Sequence, residues 1–254
     1  MAPLLELAGV TKRFGGVAAL NNVSFQVAIG EILGLIGPNG AGKTTLLNCI
    51  SGVYGLDGGA ITFDGRRITG LPPHQVARLG VGRTFQVVKP FASMTVRENA
   101  AVGALFGSAE AHLPPKAAFT WADEVLEVVG LAAKAGLTVG SLTIPDRKRL
   151  EVARALATRP RLLLLDEVMA GLNPVEVDEA LEMVRKVHAG GITIVLIEHV
   201  MRVVVGVCDR VIVLHMGQFL AEGTPDQVLQ DRRVIEAYLG EKYAQRAARG
   251  RGDG

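Results

Sequence analysis

Three features of this sequence point to an α/β fold, with a mostly parallel sheet, an antiparallel β subdomain beside it and a helical lobe inserted into it. Residues 31–36, 161–165, 192–197 and 211–214 are almost wholly apolar runs, as strands covered on both faces are. Helical segments separate the later runs, the alternation that builds a parallel, helix-covered sheet. A glycine-rich loop, residues 37–44, follows the first run and leads into a helix-like segment at 44–50.

Along the chain, residues 4–10, 18–27 and 60–68 read as antiparallel strands, the last bent at Asp64-Gly65. From about Phe91 to Thr158 the pattern becomes helical without strands. Thr95 and Glu98 have capping-box spacing at the start of one helix, Pro114-Pro115 interrupts the lobe, and residues 121–129 form an amphipathic stretch with Trp121 as a core anchor. The whole reads as one domain, 1–254. A core lobe takes 1–87 and 159–240, a helical lobe 88–158, and a basic tail with Arg246, Arg249 and Arg251 takes 241–254. There is no internal repeat and no second phosphate loop.

The chain has 254 residues, 49% of them hydrophobic, with 27 Lys plus Arg against 25 Asp plus Glu. A net charge of +2 gives no electrostatic reason to expect nucleic acid as a partner. Cys49 and Cys208 lack metal-ligand spacing and are expected as reduced, non-catalytic thiols. No apolar run approaches the ~18 residues of a spanning helix, and Glu6 breaks any signal-peptide pattern. The expectation is therefore a chain that neither crosses a membrane nor is secreted.

Residues Gly37, Pro38, Asn39, Gly40, Ala41, Gly42, Lys43 and Thr44, followed by Thr45, form a complete phosphate-binding loop in strand-loop-helix context. The glycines permit positive φ and let successive N–H groups face an anion, while the helix N-terminus adds partial positive charge. Lys43 is placed to reach the β- and γ-phosphates and Thr44 to put its hydroxyl on Mg²⁺. Asp166-Glu167 ends a buried leucine-rich strand; Asp166 suits Mg²⁺, and Glu167 suits polarising a water for attack. Gln86 stands where the lobes meet, as a second Mg²⁺ or water contact. His199 closes another buried strand, within expected reach of the γ-phosphate. Together these residues predict a phosphate-loop (RecA-like) NTPase that uses ATP and Mg²⁺ and works by positioning and charge stabilisation.

The order of phosphate loop, Gln86, helical lobe, Asp166-Glu167, Ala170-Gly171-Leu172-Asn173 and His199 resembles the ATP-binding subunits of ABC transporters over nearly the whole chain. The resemblance implies that Phe14 stacks on adenine and that Asn173, where Asp is usual, lies in a loop at a dimer interface. It implies a head-to-tail dimer with a second ATP-binding subunit, identical or different, membrane permease subunits, an indirect substrate-binding protein, and a place on the cytoplasmic face of the plasma membrane. Gly82-Arg83-Thr84-Phe85-Gln86, residues 166–174, Glu198-His199-Val200-Met201 and residues 221–240 narrow the resemblance to bacterial branched-chain amino acid importers. Urea or short-amide importers use similar subunits. Residues 87–91 are expected to offer a docking groove for a partner's helix, or to be an inter-lobe linker.

The family's signature, usually Leu-Ser-Gly-Gly-Gln, falls here on Leu142, Thr143, Ile144, Pro145 and Asp146. Pro145 has no N–H to give a phosphate, and Asp146 is expected to repel one, although both suit the first turn of a helix. The expectations are a structural helix whose contribution in trans is weakened, or a tolerated substitution. Two other classes fit less well. Soluble ABC-type mechanochemical ATPases carry a coiled-coil insertion or two cassettes, and a phosphate-loop kinase has no use for Gln86 with His199 and a water-polarising Glu167.

Overall fold

A computed structural model describes residues 2–84, 90–107 and 113–249, with side chains as far as residue 240. The chain opens with β1 (Leu5–Phe14), β2 (Val17–Val27), β3 (Ile32–Ile36), α1 (Lys43–Ile50), β4 (Gly58–Phe63) and β5 (Arg66–Arg67). It continues through α2 (Pro73–Arg78), β6 (Val81–Arg83), α3 (Val96–Phe106), α4 (Pro115–Val128), α5 (Ile144–Ala157) and β7 (Leu162–Asp166). It ends with α6 (Pro174–Ala189), β8 (Thr193–Ile197), α7 (Met201–Val207), β9 (Arg210–His215), β10 (Gln218–Gly223), α8 (Pro225–Gln230) and α9 (Arg232–Arg249).

Two sheets form. The antiparallel sheet has the order β2-β1-β4-β5, and the larger sheet the order β10-β9-β3-β8-β7-β6, parallel except for the β9–β10 hairpin. Two tight turns carry consecutive positive φ, Asp64 (50°) with Gly65 (73°) and Met216 (48°) with Gly217 (74°). This is the primed geometry that matches strand twist in two-residue hairpins, and it explains the bend expected at Asp64-Gly65.

The four apolar runs become β3, β7, β8 and β9 at the centre of the larger sheet, and strand alternation distributes them between two cores. Leu162, Leu164, Val195, Ile197, Ile212 and Leu214 face α1 and the antiparallel sheet. Leu163, Leu165, Ile194, Leu196, Val211 and Val213 face the helical side with α3 to α7. Burial on both faces is why these runs show no polar alternation.

In the segment expected as a helical lobe, α3 starts on the Thr95–Glu98 capping box. Pro114-Pro115, expected as an interruption, stands between α3 and α4, with Pro115 at the first position of α4. Trp121 packs on the helical-side core, its indole N–H donates to Ala157 O at 3.2 Å, and the Arg159 guanidinium lies 4.6 Å from its ring. Cys49 and Cys208 are free and buried. Helix α9 runs to Arg249, into the segment expected as a tail.

Strand β6 is too short to announce itself in sequence, yet it sets the edge of the site. It pairs with β7, Arg83 opposite Leu164, and places Arg83 between α1 and β7. The guanidinium donates to Asn48 Oδ1 (2.7 Å) and Ser51 Oγ (2.8 Å) on one side and reaches Asp166 Oδ2 (3.3 Å) on the other. The side chains of Arg83 and Asp166 are 6% and 0% exposed. Replacing Arg83 with leucine strands a buried carboxylate, and denaturant titration should show a loss of about 3–5 kcal/mol; a loss below ~1 kcal/mol would mean that Asp166 does not depend on Arg83.

Candidate active site

The carboxyl ends of β3, β8 and β7 lie side by side, with Leu35 opposite Ile197 and Ile197 opposite Asp166. Each strand hands its chain to a segment of the predicted chemistry: the phosphate loop after β3, Glu198-His199 after β8, and Asp166-Glu167 at the end of β7. Ligands of open α/β sheets bind at this edge because helix N-termini and loop N–H groups collect there.

In the phosphate loop, Lys43 opens α1 and is 6% exposed. Its ammonium donates to Gly37 O (2.7 Å) and Pro38 O (3.0 Å), which centres the charge within the loop. Gly42 caps α1 at φ 100° without a side-chain cap, leaving the first N–H groups of the helix for an anion. A Cβ on Gly42 would stand 2.5 Å from Ala19 O on β2, and one on Gly217 would stand 2.7 Å from the same oxygen. Gly217 N–H also donates to Ala41 O (3.1 Å), and Gly217 O accepts from Asn21 N (2.7 Å). The loop thus rests on bare backbone from β2 and the β9–β10 turn. Thr44 and Thr45 follow on α1, both half-buried.

Asp166 is 2% exposed. Burial pushes its carboxyl up, while Arg83 pulls it down, Glu167 raises it and the Lys43 charge lowers it; the balance is upward. Its backbone N–H donates to Thr84 Oγ (3.1 Å) and its Oδ2 meets Arg83, but buried Oδ1 has no hydrogen-bond partner among the described residues. Such an oxygen is costly unless a ligand takes it. A hard divalent cation beside the phosphate loop fits that vacancy in chemistry and charge.

Glu167 has φ 52°, a left-handed conformation rare outside glycine. Its N–H donates to Ile197 O (3.0 Å), and His199 Nε2 shares a hydrogen bond with its Oε1 at 2.7 Å. His199, expected near the γ-phosphate, is therefore paired with the Glu167 carboxylate. Next to it, Glu198 is 1% exposed and accepts the Met169 N–H at 2.8 Å. Burial pushes its carboxyl up to about 7 against the opposing N–H groups of Met169 and His199.

Phe14, at the end of β1, is 44% exposed and meets Tyr54 edge to face, centroids 5.2 Å apart, with the Lys12 ammonium 5.4 Å from its ring. Gln86 lies outside the described residues, as does most of the stretch 87–91. Asn173, expected in an interface loop, caps α6: its Oδ1 accepts from Val175 N (2.9 Å) and Glu176 N (3.0 Å), while Glu176 accepts the Asn173 N–H (2.8 Å).

In the altered signature Leu142 is buried and Ile144 is 73% exposed. Thr143 and Asp146 form a reciprocal capping box at the start of α5, with Pro145 in the first turn. Asp146, expected to repel an incoming phosphate, is only 6% exposed and accepts from Lys134 Nζ (2.6 Å) and Thr143 Oγ (2.8 Å). Burial raises its carboxyl, but these hydrogen bonds outweigh it and hold it below the ordinary range. The charge is neutralised inside the fold. At this helix start Pro145 has no N–H and the Asp146 N–H is taken by Thr143 Oγ (3.3 Å).

Sequence reading missed three contributors. The partners of Gly217, Arg83 and Glu198 lie far along the chain, so no local pattern marks them.

A model of the ABC transporter family matches residues 20–170, and one of branched-chain amino acid ATP-binding cassette transporters matches 220–244. The chain is 43% identical over 251 residues to the high-affinity branched-chain amino acid transport ATP-binding protein BraF of Pseudomonas aeruginosa, covering 94% of this chain and 98% of the relative. Among solved structures, an ATP-binding cassette of an ABC transporter in its ADP conformation superposes with a TM-score of 0.85 at 32% identity, covering 94% of this chain and 100% of that one. A dimeric ATP-binding cassette in a post-hydrolysis state, bound to ADP and phosphate, gives 0.78 at 25% identity, covering 87% and 98%.

Three substitutions probe this geometry. Gly217→Ala forces the β9–β10 turn against Ala19 O and should shift the phosphate loop, weakening ATP binding about tenfold or more with Lys43 intact; unchanged affinity in a nucleotide titration refutes the support role. Thr143→Ala removes the α5 cap and should cost about 1 kcal/mol. Because the folded carboxyl of Asp146 lies below its ordinary 3.8, the Lys134→Met deficit should be full above that pH and shrink as pH falls through the depressed value, as urea titrations at two pH values would read.

Proposed function

This chain belongs to the ABC transporter family as one of its ATP-binding subunits, and on that premise we propose that it hydrolyses ATP to drive an importer of branched-chain amino acids. The observation that carries the hydrolytic part is the convergence of the Lys43 loop, the orphaned Asp166 oxygen and the Glu167–His199 pair at one sheet edge. The 43% identity to BraF across 94% of the chain and the family match at 220–244 support the importer and its substrate class.

In this reading the loop N–H groups and Lys43 hold the triphosphate, and Phe14 offers its exposed face to the adenine. Thr44, Asp166 and Gln86 would hold Mg²⁺, which when bound neutralises phosphate charge. Glu167 orients a water for in-line attack on the γ-phosphorus and takes its proton as the bond to the bridging oxygen breaks, releasing ADP and phosphate. His199 Nε2–H, donating to Glu167 Oε1, aims that carboxylate and is the means by which its hydrogen bond can pass to a γ-phosphate oxygen.

The single chain supplies one half of each site. A second ATP-binding subunit brings its signature segment over the phosphate loop, Asn173 sits at that interface, and ATP-dependent closure moves the membrane partners. A groove of about 300 Å³ between the lobes, lined by Val53, Ala77, Val102, Phe106, Glu151 and Arg154, suits an amphipathic permease helix. Phe106 is 76% exposed there. No helix among the described residues is long and apolar enough to cross a membrane; the subunit acts from the cytoplasmic face, docked on the permease.

The test is phosphate release by the purified chain, wild type beside Glu167→Gln, with size-exclusion chromatography in ATP and Mg²⁺. Hydrolysis by the wild type and an ATP-locked, inactive dimer for the variant are expected. A phosphorylated acceptor in place of free phosphate would overturn the ATPase reading. A wild type that binds ATP yet stays monomeric and inactive would assign the signature to a different partner subunit.

A further inference from the structure

Glu198 is a buried carboxylate that the hydrolytic chemistry does not use, just past the end of the strand that separates the phosphate-loop strand from the Glu167 strand. Burying it is costly, and its Oε2 has no hydrogen-bond partner among the described residues. Its contact with the turn after β7 is made by Oε1, which accepts the Met169 N–H at 2.8 Å, while the neighbouring His199 N–H also favours the charged carboxylate.

That contact falls at a telling place. Glu167 is in the left-handed region, and strained residues persist only where the surroundings hold them. The segment after β7 is held at two points by β8 and its continuation: Glu167 N–H donates to Ile197 O (3.0 Å), and Met169 N–H to Glu198. Between them Ala170 N–H turns back onto Glu167 O (3.3 Å). A third tie comes from the helical lobe, where Lys148 on α5 donates to Ala170 O. Burial lowers the Lys148 ammonium, and the charges of Glu198 and Glu167 pull it back up, so these three groups share one electrostatic neighbourhood.

We propose that Glu198 is a positioning residue for hydrolysis: by accepting the Met169 N–H it clamps the turn after β7 and fixes the backbone of Glu167 beside His199, where Lys148 joins the same turn to the signature helix. The role rests on the hydrolytic reading of Glu167. Chemistry does not pass through Glu198; geometry does. Glutamine keeps an acceptor oxygen in the same shape and should keep the clamp, whereas leucine fills the volume without it.

The experiment pairs backbone hydrogen exchange on the purified chain with ATPase kinetics of the assembled transporter, for Glu198→Leu and Glu198→Gln. For the leucine variant we expect faster exchange at Met169 with α1 unchanged, kcat down about 10- to 100-fold as expected of a misplaced catalytic group, and ATP affinity within about twofold of wild type. The glutamine variant should restore both exchange protection and kcat. Unchanged exchange or kcat in the leucine variant overturns the proposal, as does a loss of ATP binding and thermal stability in parallel with kcat. Equal damage from glutamine overturns it too, assigning the residue to charge. If the wild-type assembly hydrolyses nothing, the hydrolytic reading fails, and positioning for hydrolysis fails with it, while exchange at Met169 still decides whether the clamp exists.

Discussion

The site depends on a contact between backbones that have no side chains between them. A phosphate loop must turn its N–H groups inward, so its outer surface has to be supported without bulk. Here Ala19 O of β2 lies where both Gly42 and Gly217 would carry a Cβ, and the loop's Ala41 O is bonded to the Gly217 N–H. Three segments drawn from the antiparallel sheet, the loop and the β9–β10 turn meet at that point. The antiparallel sheet is therefore more than a cover for one face. It fixes the loop from behind while presenting Phe14 at the end of its first strand. An added methyl group at either glycine would displace main chain, which has no rotamer by which to yield.

The opposite side of the site is held by charge. Arg83 spans from α1 to Asp166, so the helix that begins with Lys43 and the strand that ends in the carboxylates share one buried guanidinium. Each alone would be an expensive buried ion; together they set the spacing between the phosphate loop and the end of β7. The remaining Asp166 oxygen stays uncompensated among the described residues. Local stability has been given up where a ligand is to bind, as at other functional edges. Glu167 shows the same trade in its backbone, held by β8 and by the turn that follows.

How much of this was legible in sequence follows from contact distance. Residues 37–44 carry their own context, since strand, loop and helix are contiguous, and the leucine-rich run before Asp166-Glu167 declares a doubly buried strand by composition alone. Strand β6 has three residues, too few for any periodicity, and its importance lies in a side chain that reaches β7 and α1. Glu198 and Met169 are 29 positions apart, and nothing local distinguishes that glutamate from a solvated strand end. The Pro114-Pro115 pair, read as a break, is also a helix start, because a proline that cannot continue one helix is well suited to begin another.

The altered signature can now be argued from structure and not from mismatch alone. An aspartate in place of the usual glutamine suggested repulsion, yet Asp146 faces Lys134 and Thr143 and is nearly buried. What the segment has spent or lost is most of its donors. Pro145 has none, and Thr143 and Asp146 satisfy one another, so the helix end is stabilised by the groups that a facing phosphate would need. A helix N-terminus has only a few orphan N–H groups, and those spent on a cap are unavailable to an anion. The reciprocal cap and the apolar Ile144 at its surface therefore favour folding of α5 over service to an opposing site. The phosphate loop, Asp166 and Glu167 of the same chain stand together at one sheet edge. The division of labour expected from these residues is a subunit that receives a signature better than the one it gives.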